Sequence, residues 1–191
     1  MYIVDDDAGL RAIVRGMLRD PSVRFEEFES AESFLTGYSD RPSGCVLLDV
    51  RLPGMNGLEV LERISVLQPP NAIIMLSGFG DIPSAVRAVK MGAADFVQKP
   101  FRKDQLVEVV RKAFESVEAM AKTSRQMEAL TPREREVLIA FREGEQNKVV
   151  AARLGLSPRT VEMYRARLFA KLGVSNLPQA LLKAREAGLI G

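Results

Sequence analysis

The chain has no histidine and only one cysteine, Cys45, among its 191 residues. Without histidine it can form neither a histidine-based catalytic triad nor a histidine-ligated metal site, and it cannot carry a phosphohistidine. One cysteine excludes an intrachain disulfide and a cysteine zinc site. No apolar run approaches the roughly 18 residues of a membrane span, and no signal peptide is visible. We therefore expect a cytoplasmic protein with no membrane partner.

Charge is unevenly divided along the chain. Residues 1–118 hold 14 Lys and Arg against 18 Asp and Glu, a net charge of −4, whereas residues 119–191 hold 13 against 7, a net charge of +6. An acidic first part and a basic last part indicate two modules. The basic module is suited to a polyanionic partner.

Hydrophobic patterning in the first part alternates strands with helices. Short apolar runs predict five strands, at about residues 2–4, 23–28, 44–48, 72–76 and 95–97. Amphipathic helical spacing follows each strand, and we expect the third helix to extend to Leu67 and the last to pass Val117. Strands that alternate with helices in this way predict a doubly wound α/β fold with a parallel sheet and helices on both faces.

Polar side chains follow four of the predicted strands. Asp5 and Asp6 follow the first strand, Asp49 ends the third, Ser77 follows the fourth and Lys99 follows the fifth. The carboxyl ends of parallel strands meet at one edge of a sheet, so these side chains should converge on one crevice. Taken singly, each has an ordinary explanation as a turn, cap or surface residue. Their coincidence at four strand ends favours a common site.

The predicted crevice has a definite chemistry. Three carboxylates repel one another unless a cation joins them, and with no histidine or thiolate beside them the expected ion is Mg²⁺. The hydroxyl of Ser77 and the ammonium of Lys99 are donors suited to phosphoryl oxygens. The site therefore suggests attack by an Asp carboxylate on phosphorus, which gives an aspartyl phosphate.

Residues 1–118 resemble the receiver domain of two-component response regulators. The matching features are the acidic pair Asp5 and Asp6, Asp49 in Leu-Leu-Asp-Val-Arg-Leu-Pro-Gly-Met-Asn-Gly, Ser77, Phe96 and Lys99-Pro100. The resemblance implies a flavodoxin-like five-stranded sheet of order 2-1-3-4-5, in which the first strand is short. It also implies a cis Lys99-Pro100 peptide, a form that only X-Pro bonds adopt readily.

The resemblance also implies a role for each matching residue. Asp49 would be the phosphoacceptor, Ser77 and Lys99 would bind the phosphoryl group, and Phe96 would be the switch aromatic. The Mg²⁺ ligands would be Asp5, Asp6, Asp49 and the backbone carbonyl of Arg51. The phosphodonor would be a sensor histidine kinase, because this chain has no histidine of its own. Phosphorylation would promote a homodimer through the face formed by the fourth helix and the fifth strand.

The remaining residues predict a helical module. Residues 119–130 are polar and contain no Gly or Pro, so the last receiver helix should run on as a linker. Thr131-Pro132-Arg133-Glu134 is a capping box that begins a new helix. Further helices are expected over 147–154, 158–172 and 178–187, separated by Gly155 and a second short turn. Residues 131–191 thus predict an all-α four-helix domain with a helix-turn-helix.

The third helix of this module offers a candidate DNA-binding face. With its neighbours it presents Lys148, Arg159, Thr160, Glu162, Met163, Ala166, Arg167 and Lys171. Arg and Lys would bind phosphates or guanine, and Glu162 could accept from a cytosine amino group. A small basic bundle that binds another protein is the alternative.

Residues 129–191 resemble the LuxR-type helix-turn-helix of the NarL/FixJ class. The resemblance rests on Thr-Pro-Arg-Glu-Arg-Glu-Val-Leu, on Asn147-Lys148 and on Ser-Pro-Arg-Thr-Val-Glu. Together with Phe79-Gly80-Asp81-Ile82-Pro83, the last motif favours the FixJ branch. The expectation is a regulator that, once phosphorylated, dimerises and binds specific double-stranded promoter DNA, with RNA polymerase as a further candidate partner.

Two other functions remain open at the level of sequence. A haloacid-dehalogenase-like phosphohydrolase also uses an Asp nucleophile with Mg²⁺. That family has a second Asp two residues after the nucleophile, where this chain has Arg51. The other alternative is a regulator whose receiver acts as an interaction module without phosphate. On the response regulator interpretation the chain is not an enzyme beyond its own phosphotransfer and dephosphorylation.

Overall fold

The structure, a computed structural model, describes residues 1–65, 71–78 and 81–190. It divides into two compact units, Met1–Glu118 and Ala119–Gly191. No helix among the described residues is both long enough and apolar enough to cross a bilayer. The boundaries expected from the sequence, with a linker over residues 119–130, stay a prediction.

The first unit is built on a five-stranded parallel sheet of order β2-β1-β3-β4-β5. Its strands are β1 Tyr2–Val4, β2 Glu26–Phe28, β3 Cys45–Asp49, β4 Ala72–Ser77 and β5 Asp95–Gln98. Both the parallel pairing and the strand order confirm the prediction. β2 is shorter than the expected 23–28, because β1 has only three residues and can pair with no more than three.

Among the described residues, five α-helices alternate with these strands, and the last of them continues into the second unit. They are α1 Ala8–Met17, α2 Ala31–Leu35, α3 Gly57–Ile64, α4 Ile82–Lys90 and α5 Lys103–Glu128, with a short 3₁₀ helix at Tyr38–Asp40. The last receiver helix does run on, since α5 continues to Glu128. The predicted end of the third helix at Leu67 lies outside the described residues.

Both faces of the sheet are covered, as a doubly wound fold requires. Adjacent residues of β3 point to opposite faces. Leu48 belongs to one core cluster with Phe34 and Leu61, and Leu47 belongs to the other with Leu106. All five residues of β3 are buried. Asp49 therefore lies at the end of a central strand that is buried along its whole length.

Within the described part of the second unit, four helices follow α5, as expected. They are α6 Pro132–Ala140, α7 Asn147–Leu154, α8 Pro158–Leu172 and α9 Leu177–Glu186. Thr131 and Glu134 form the predicted capping box at the start of α6. Gly155 ends α7 with a φ of 64°, a left-handed conformation that glycine adopts without strain. The predicted helix-turn-helix is therefore α7, this glycine turn and α8.

The end of α5 belongs to the core of the second unit. Met127 and Leu130 are buried there in one cluster with Leu138 and Phe141. Arg135 donates to the carbonyl of Met127 at 3.1 Å, and Lys183 donates to the side chain of Gln126 at 2.8 Å. The last turn of the expected linker is thus part of the helical domain rather than a free connection.

Candidate functional site

The carboxylates predicted to share a site lie together at the carboxyl edge of the sheet. Asp5 directly follows β1 and Asp49 ends β3, the strand paired with it. Asp5 and Asp49 are only 1% and 6% exposed, whereas Asp6 is exposed. One carboxylate oxygen from each of the three lies within 4.8 Å of the others. Hard oxygen donors at this spacing fit a hard divalent cation such as Mg²⁺.

Lys99 completes the cluster from the end of β5. Its Nζ lies 2.7 Å from Asp5 Oδ2 and 2.9 Å from Asp49 Oδ2. The backbone N–H of Lys99 donates to the carbonyl of Ser77 at 2.6 Å, which ties the lysine to the adjacent strand end. The Lys99-Pro100 peptide is cis, as predicted. One ammonium group thus bridges two buried carboxylates.

The ionisation of this cluster follows from burial and mutual pairing. Burial raises the pKa of Asp49, and the hydrogen bond and charge of Lys99 oppose that rise only in part. Burial lowers the pKa of Lys99, but its bonds to Asp5 and Asp49 more than offset this, and its pKa is raised. The lysine therefore stays protonated, and any further cation in the site would favour the ionised, nucleophilic form of Asp49.

Two residues that hold the backbone of the site had no assigned role in the sequence reasoning. Arg11 donates from Nη1 to the carbonyl of Asp5 at 2.6 Å. A Cβ built on Gly57 would lie 2.0 Å from the carbonyl oxygen of Asp49. In the sequence, Gly57 appears only as the last residue of the family motif around Asp49. Its one sequence signal is that it is a glycine in the first turn of the helix that follows the acidic strand.

The remaining receiver residues are placed as follows. Ser77 is fully buried, and its Oγ donates at 3.3 Å to the carbonyl of Gly78 and to Asp81 Oδ2, both long bonds. Phe96 is half-buried and packs against the core cluster that contains Leu48. In the sequence, Asp81 appears only within the motif Phe79-Gly80-Asp81-Ile82-Pro83, which does not identify it as the partner of Ser77. Phe79 and Gly80 themselves lie outside the described part of the chain.

The predicted DNA-binding face lies mostly on the exposed side of α8. Its inner residues Val161, Leu168 and Leu172 are buried in the core of the second unit, and Tyr164 is half-buried. The exposed positions are Lys148, Arg159, Glu162, Met163, Ala166, Arg167 and Lys171. Thr160 is half-buried, and its hydroxyl lies 2.7 Å from that of Ser157. DNA contact by these residues stays a prediction.

Lys171 has a structural role that the sequence reasoning missed. Its Nζ lies 2.6 Å from Glu134 Oε2 and donates to the carbonyl of Ala129 at 3.1 Å. Glu134 is 3% exposed and uses its carboxylate to accept from the N–H of Thr131. A buried carboxylate in a capping box needs a cation, and Lys171 supplies it. Lys171 is thus tied to its own domain, and its predicted contact with DNA remains untested.

Comparison with protein families follows the division of the chain. Residues 1–111 match the response regulator receiver domain, and residues 128–184 match bacterial regulatory proteins of the luxR family. The chain therefore belongs to the response regulators that join a receiver domain to a LuxR-type DNA-binding domain, a class of transcription regulators.

Relatives over the full length support this assignment. The chain is 36% identical over 197 residues to the transcriptional regulatory protein FixJ of Bradyrhizobium diazoefficiens, covering 100% of this chain and 96% of FixJ. It is 36% identical over 193 residues to the response regulator protein TmoT of Ectopseudomonas mendocina, covering 97% and 87% of the two chains.

Solved structures show the same architecture. Full-length FixJ from B. japonicum matches with a TM-score of 0.54 and 34% identity, covering 100% of this chain and 97% of that one. The response regulator StyR matches with a TM-score of 0.56 and 31% identity, covering 97% of each chain. The family and fold predicted from the motifs are confirmed.

Proposed function

We propose that a sensor histidine kinase phosphorylates this regulator on Asp49, and that the phosphorylated form binds DNA as a dimer. The observation that carries the proposal is the cluster at the sheet edge. There the buried Asp49 lies 2.9 Å from the ammonium of Lys99. One of its carboxylate oxygens lies within 4.8 Å of an oxygen of Asp5 and of Asp6. A carboxylate held among these groups is placed to attack phosphorus.

Mg²⁺ would be held by Asp5, Asp6, Asp49 and the backbone carbonyl of Arg51. When bound, it would neutralise charge on the phosphoryl oxygens. Lys99 would bind a phosphoryl oxygen through the ammonium that now joins Asp5 and Asp49. Ser77, fully buried at the end of β4, would donate its hydroxyl to another. Lys99 and Ser77 would thus bind and orient the phosphoryl group, and phosphorylation of Asp49 would act as a switch.

The switch would run through Ser77 to helix α4. Ser77 donates to Asp81, and Asp81 also caps α4 by accepting from the N–H of Ser84 at 3.3 Å. A hydroxyl drawn to phosphorylated Asp49 would leave Asp81, so the start of α4 would lose one restraint. Phe96 would then move into the space that Ser77 vacates. These movements would reshape the face formed by α4 and β5.

That face offers an apolar surface for a second copy. Ile82, Val86 and Val89 lie along one side of α4 with 73%, 50% and 60% of their surfaces exposed. Association through them would bring two helix-turn-helix domains to a two-part DNA site. Basic residues on and beside α8 would bind phosphates, and Glu162 would read a base edge. We place this activity in the cytoplasm, with RNA polymerase as a further partner at the promoter.

Phosphorylation of the full chain by acetyl phosphate and Mg²⁺ tests the proposal. The wild-type protein should gain one phosphoryl group by intact mass and should bind its selected DNA more tightly, whereas Asp49→Asn should do neither. Asp40→Asn, at an exposed aspartate of the 3₁₀ helix, is the matched control and should behave as wild type. Phosphorylation of Asp49→Asn at the wild-type rate would refute the assignment. Equal DNA affinity with and without phosphodonor would instead favour a phosphate-independent receiver.

Steady hydrolysis of a phosphate ester would point to the phosphohydrolase alternative. In that alternative a second acid two residues after Asp49 would protonate the leaving group. Arg51 occupies this position and cannot act as such an acid, since a guanidinium stays protonated at any working pH. We therefore expect no turnover of p-nitrophenyl phosphate above the rate of Asp49→Asn.

A further inference from the structure

A chain of polar contacts joins the two helices of the helix-turn-helix. Arg165 of α8 donates from Nη1 to the side-chain oxygen of Asn147 at 2.8 Å. Asn147, the first residue of α7, donates from Nδ2 to Oε1 of Glu162 at 3.4 Å, a long bond. Arg165 and Glu162 lie three positions apart on the same helix, so they are neighbours on its surface. Asn147 spans them from the other helix.

The donors and acceptors in this chain of contacts allow one orientation of the Asn147 amide. A guanidinium can only donate and an ionised carboxylate can only accept. The amide oxygen of Asn147 must therefore face Arg165, and its NH₂ group must face Glu162. Arg165 thereby sets the orientation of the Asn147 amide, and that amide in turn points its N–H at the carboxylate.

Arg165 is itself held in place by aromatic rings. Its guanidinium carbon lies 5.6 Å from the ring centre of Phe141 and 5.5 Å from that of Phe169. Phe141 is 1% exposed and belongs to the core of the second unit. A cation within about 6 Å of aromatic ring centres is attracted to the rings, which restricts the orientation of the guanidinium. Arg165 thus links the aromatic side chains of the core to the side chain of Asn147.

We propose that Arg165 and Asn147 are positioning residues for sequence recognition, which hold the carboxylate of Glu162 toward a cytosine amino group. The inference rests on the proposed DNA-binding role of Glu162. An exposed glutamate has several rotatable bonds, and ordering it before DNA arrives lowers the entropy lost on binding. Without Asn147 the carboxylate would sample other rotamers, and discrimination at its base pair would weaken.

The test measures base-pair discrimination by the full chain after phosphodonor treatment. The bound site is first found by selection from random-sequence DNA, and affinities are then measured for single base-pair variants. Glu162→Ala, which removes the acceptor, should lose roughly tenfold in discrimination, and at one base pair only, which identifies the pair that it reads. Asn147→Ala should lose about threefold to tenfold at that same base pair. In the Glu162→Ala background, Asn147→Ala should cost no further discrimination.

Two further variants separate positioning from simple stability. Arg165→Lys keeps the charge but loses the planar guanidinium. It should weaken discrimination at the same base pair as Asn147→Ala does. Asn176→Ala is the matched control, because Asn176 caps α9 by accepting from Gln179 at 3.0 Å and lies outside the chain of contacts. It should lower thermal stability and leave the discrimination pattern unchanged.

The outcomes are distinct. Uniform loss of affinity for all sequences by Asn147→Ala, or additive losses in the double variant, would overturn the inference while leaving DNA binding intact. An unchanged pattern in Glu162→Ala would also overturn it, since there would be no reading carboxylate to position. Failure of the wild-type chain to select any DNA would instead refute the proposed function itself.

Discussion

The pair formed by Glu134 and Lys171 gives the sharpest prediction about stability. In Lys171→Met the carboxylate of Glu134, 3% exposed, would lose its cation. Breaking a fully buried pair costs about 3–5 kcal/mol. The Lys171 side chain is 36% exposed, so water can partly replace it, and we expect about 1–3 kcal/mol. For a unit of this size that lowers the melting temperature by roughly 4–8 °C per kcal/mol.

The pH dependence of this loss tests its cause. Burial raises the pKa of Glu134, but Lys171 and Thr131 more than offset this, so its pKa lies below the ordinary value of 4.5. Stability from this group is therefore present above about pH 4.5 and is lost as pH falls through the folded pKa. In Lys171→Met the uncompensated burial should raise that pKa. The difference between variant and wild type should shrink as the solution is acidified from pH 7.

Differential scanning calorimetry of the full chain is the assay, because two units need not unfold as one. The transition of the helical domain should shift in Lys171→Met while that of the receiver stays in place. Lys148→Met, at an exposed lysine of the same domain, is the matched control and should shift neither. In Glu134→Gln the loss from Lys171→Met should largely vanish. A pH-independent deficit, or no deficit at neutral pH, would refute the reasoning.

Three further predictions concern the receiver. Gly57→Ala should slow phosphorylation and lower the melting temperature of the receiver, since its Cβ would lie 2.0 Å from the carbonyl oxygen of Asp49. The control Gly16→Ala in α1, whose Cβ would have nothing within 4 Å, should raise that melting temperature slightly. Equal melting temperatures of the two variants would count against the close approach. Chelation of Mg²⁺ by EDTA should abolish acetyl phosphate labelling, and labelling that persists would argue against a metal-dependent site. Val86→Asp should leave labelling intact and prevent phosphorylation-driven dimerisation in sizing measurements, while Val107→Asp, 39% exposed on α5, should not; dimers of Val86→Asp would exclude this face.

Much of the receiver could be predicted from local sequence alone. Apolar runs and helical spacing predict the five strands and the five α-helices that the structure describes there, because burial on a sheet or along a helix imposes a period that one sequence reveals. The rule that parallel strands share a carboxyl edge then predicts that Asp5, Asp49 and Lys99 lie together. The structure places Lys99 within hydrogen-bonding distance of both carboxylates.

Local errors have physical causes. The second strand was predicted too long because residues 23–25 have strand-like sequence, whereas its extent depends on a partner of three residues. The ion pair of Lys171 with Glu134 is not predictable from such a pattern, and DNA contact by Lys171 stays a prediction. Helical spacing shows only which side of a helix a residue occupies. That spacing carries no information about a buried carboxylate 37 positions away.

The sequence by itself determined the order of elements, the caps, the family and the residues at the strand ends, since each depends on neighbours within a few positions. Only the tertiary structure decided which partners those residues meet. Gly57 against the Asp49 carbonyl, Lys171 beside Glu134, and Asn147 between Arg165 and Glu162 each depend on how separate elements approach. Such contacts are set by packing across the fold, where periodicity along the chain has no influence.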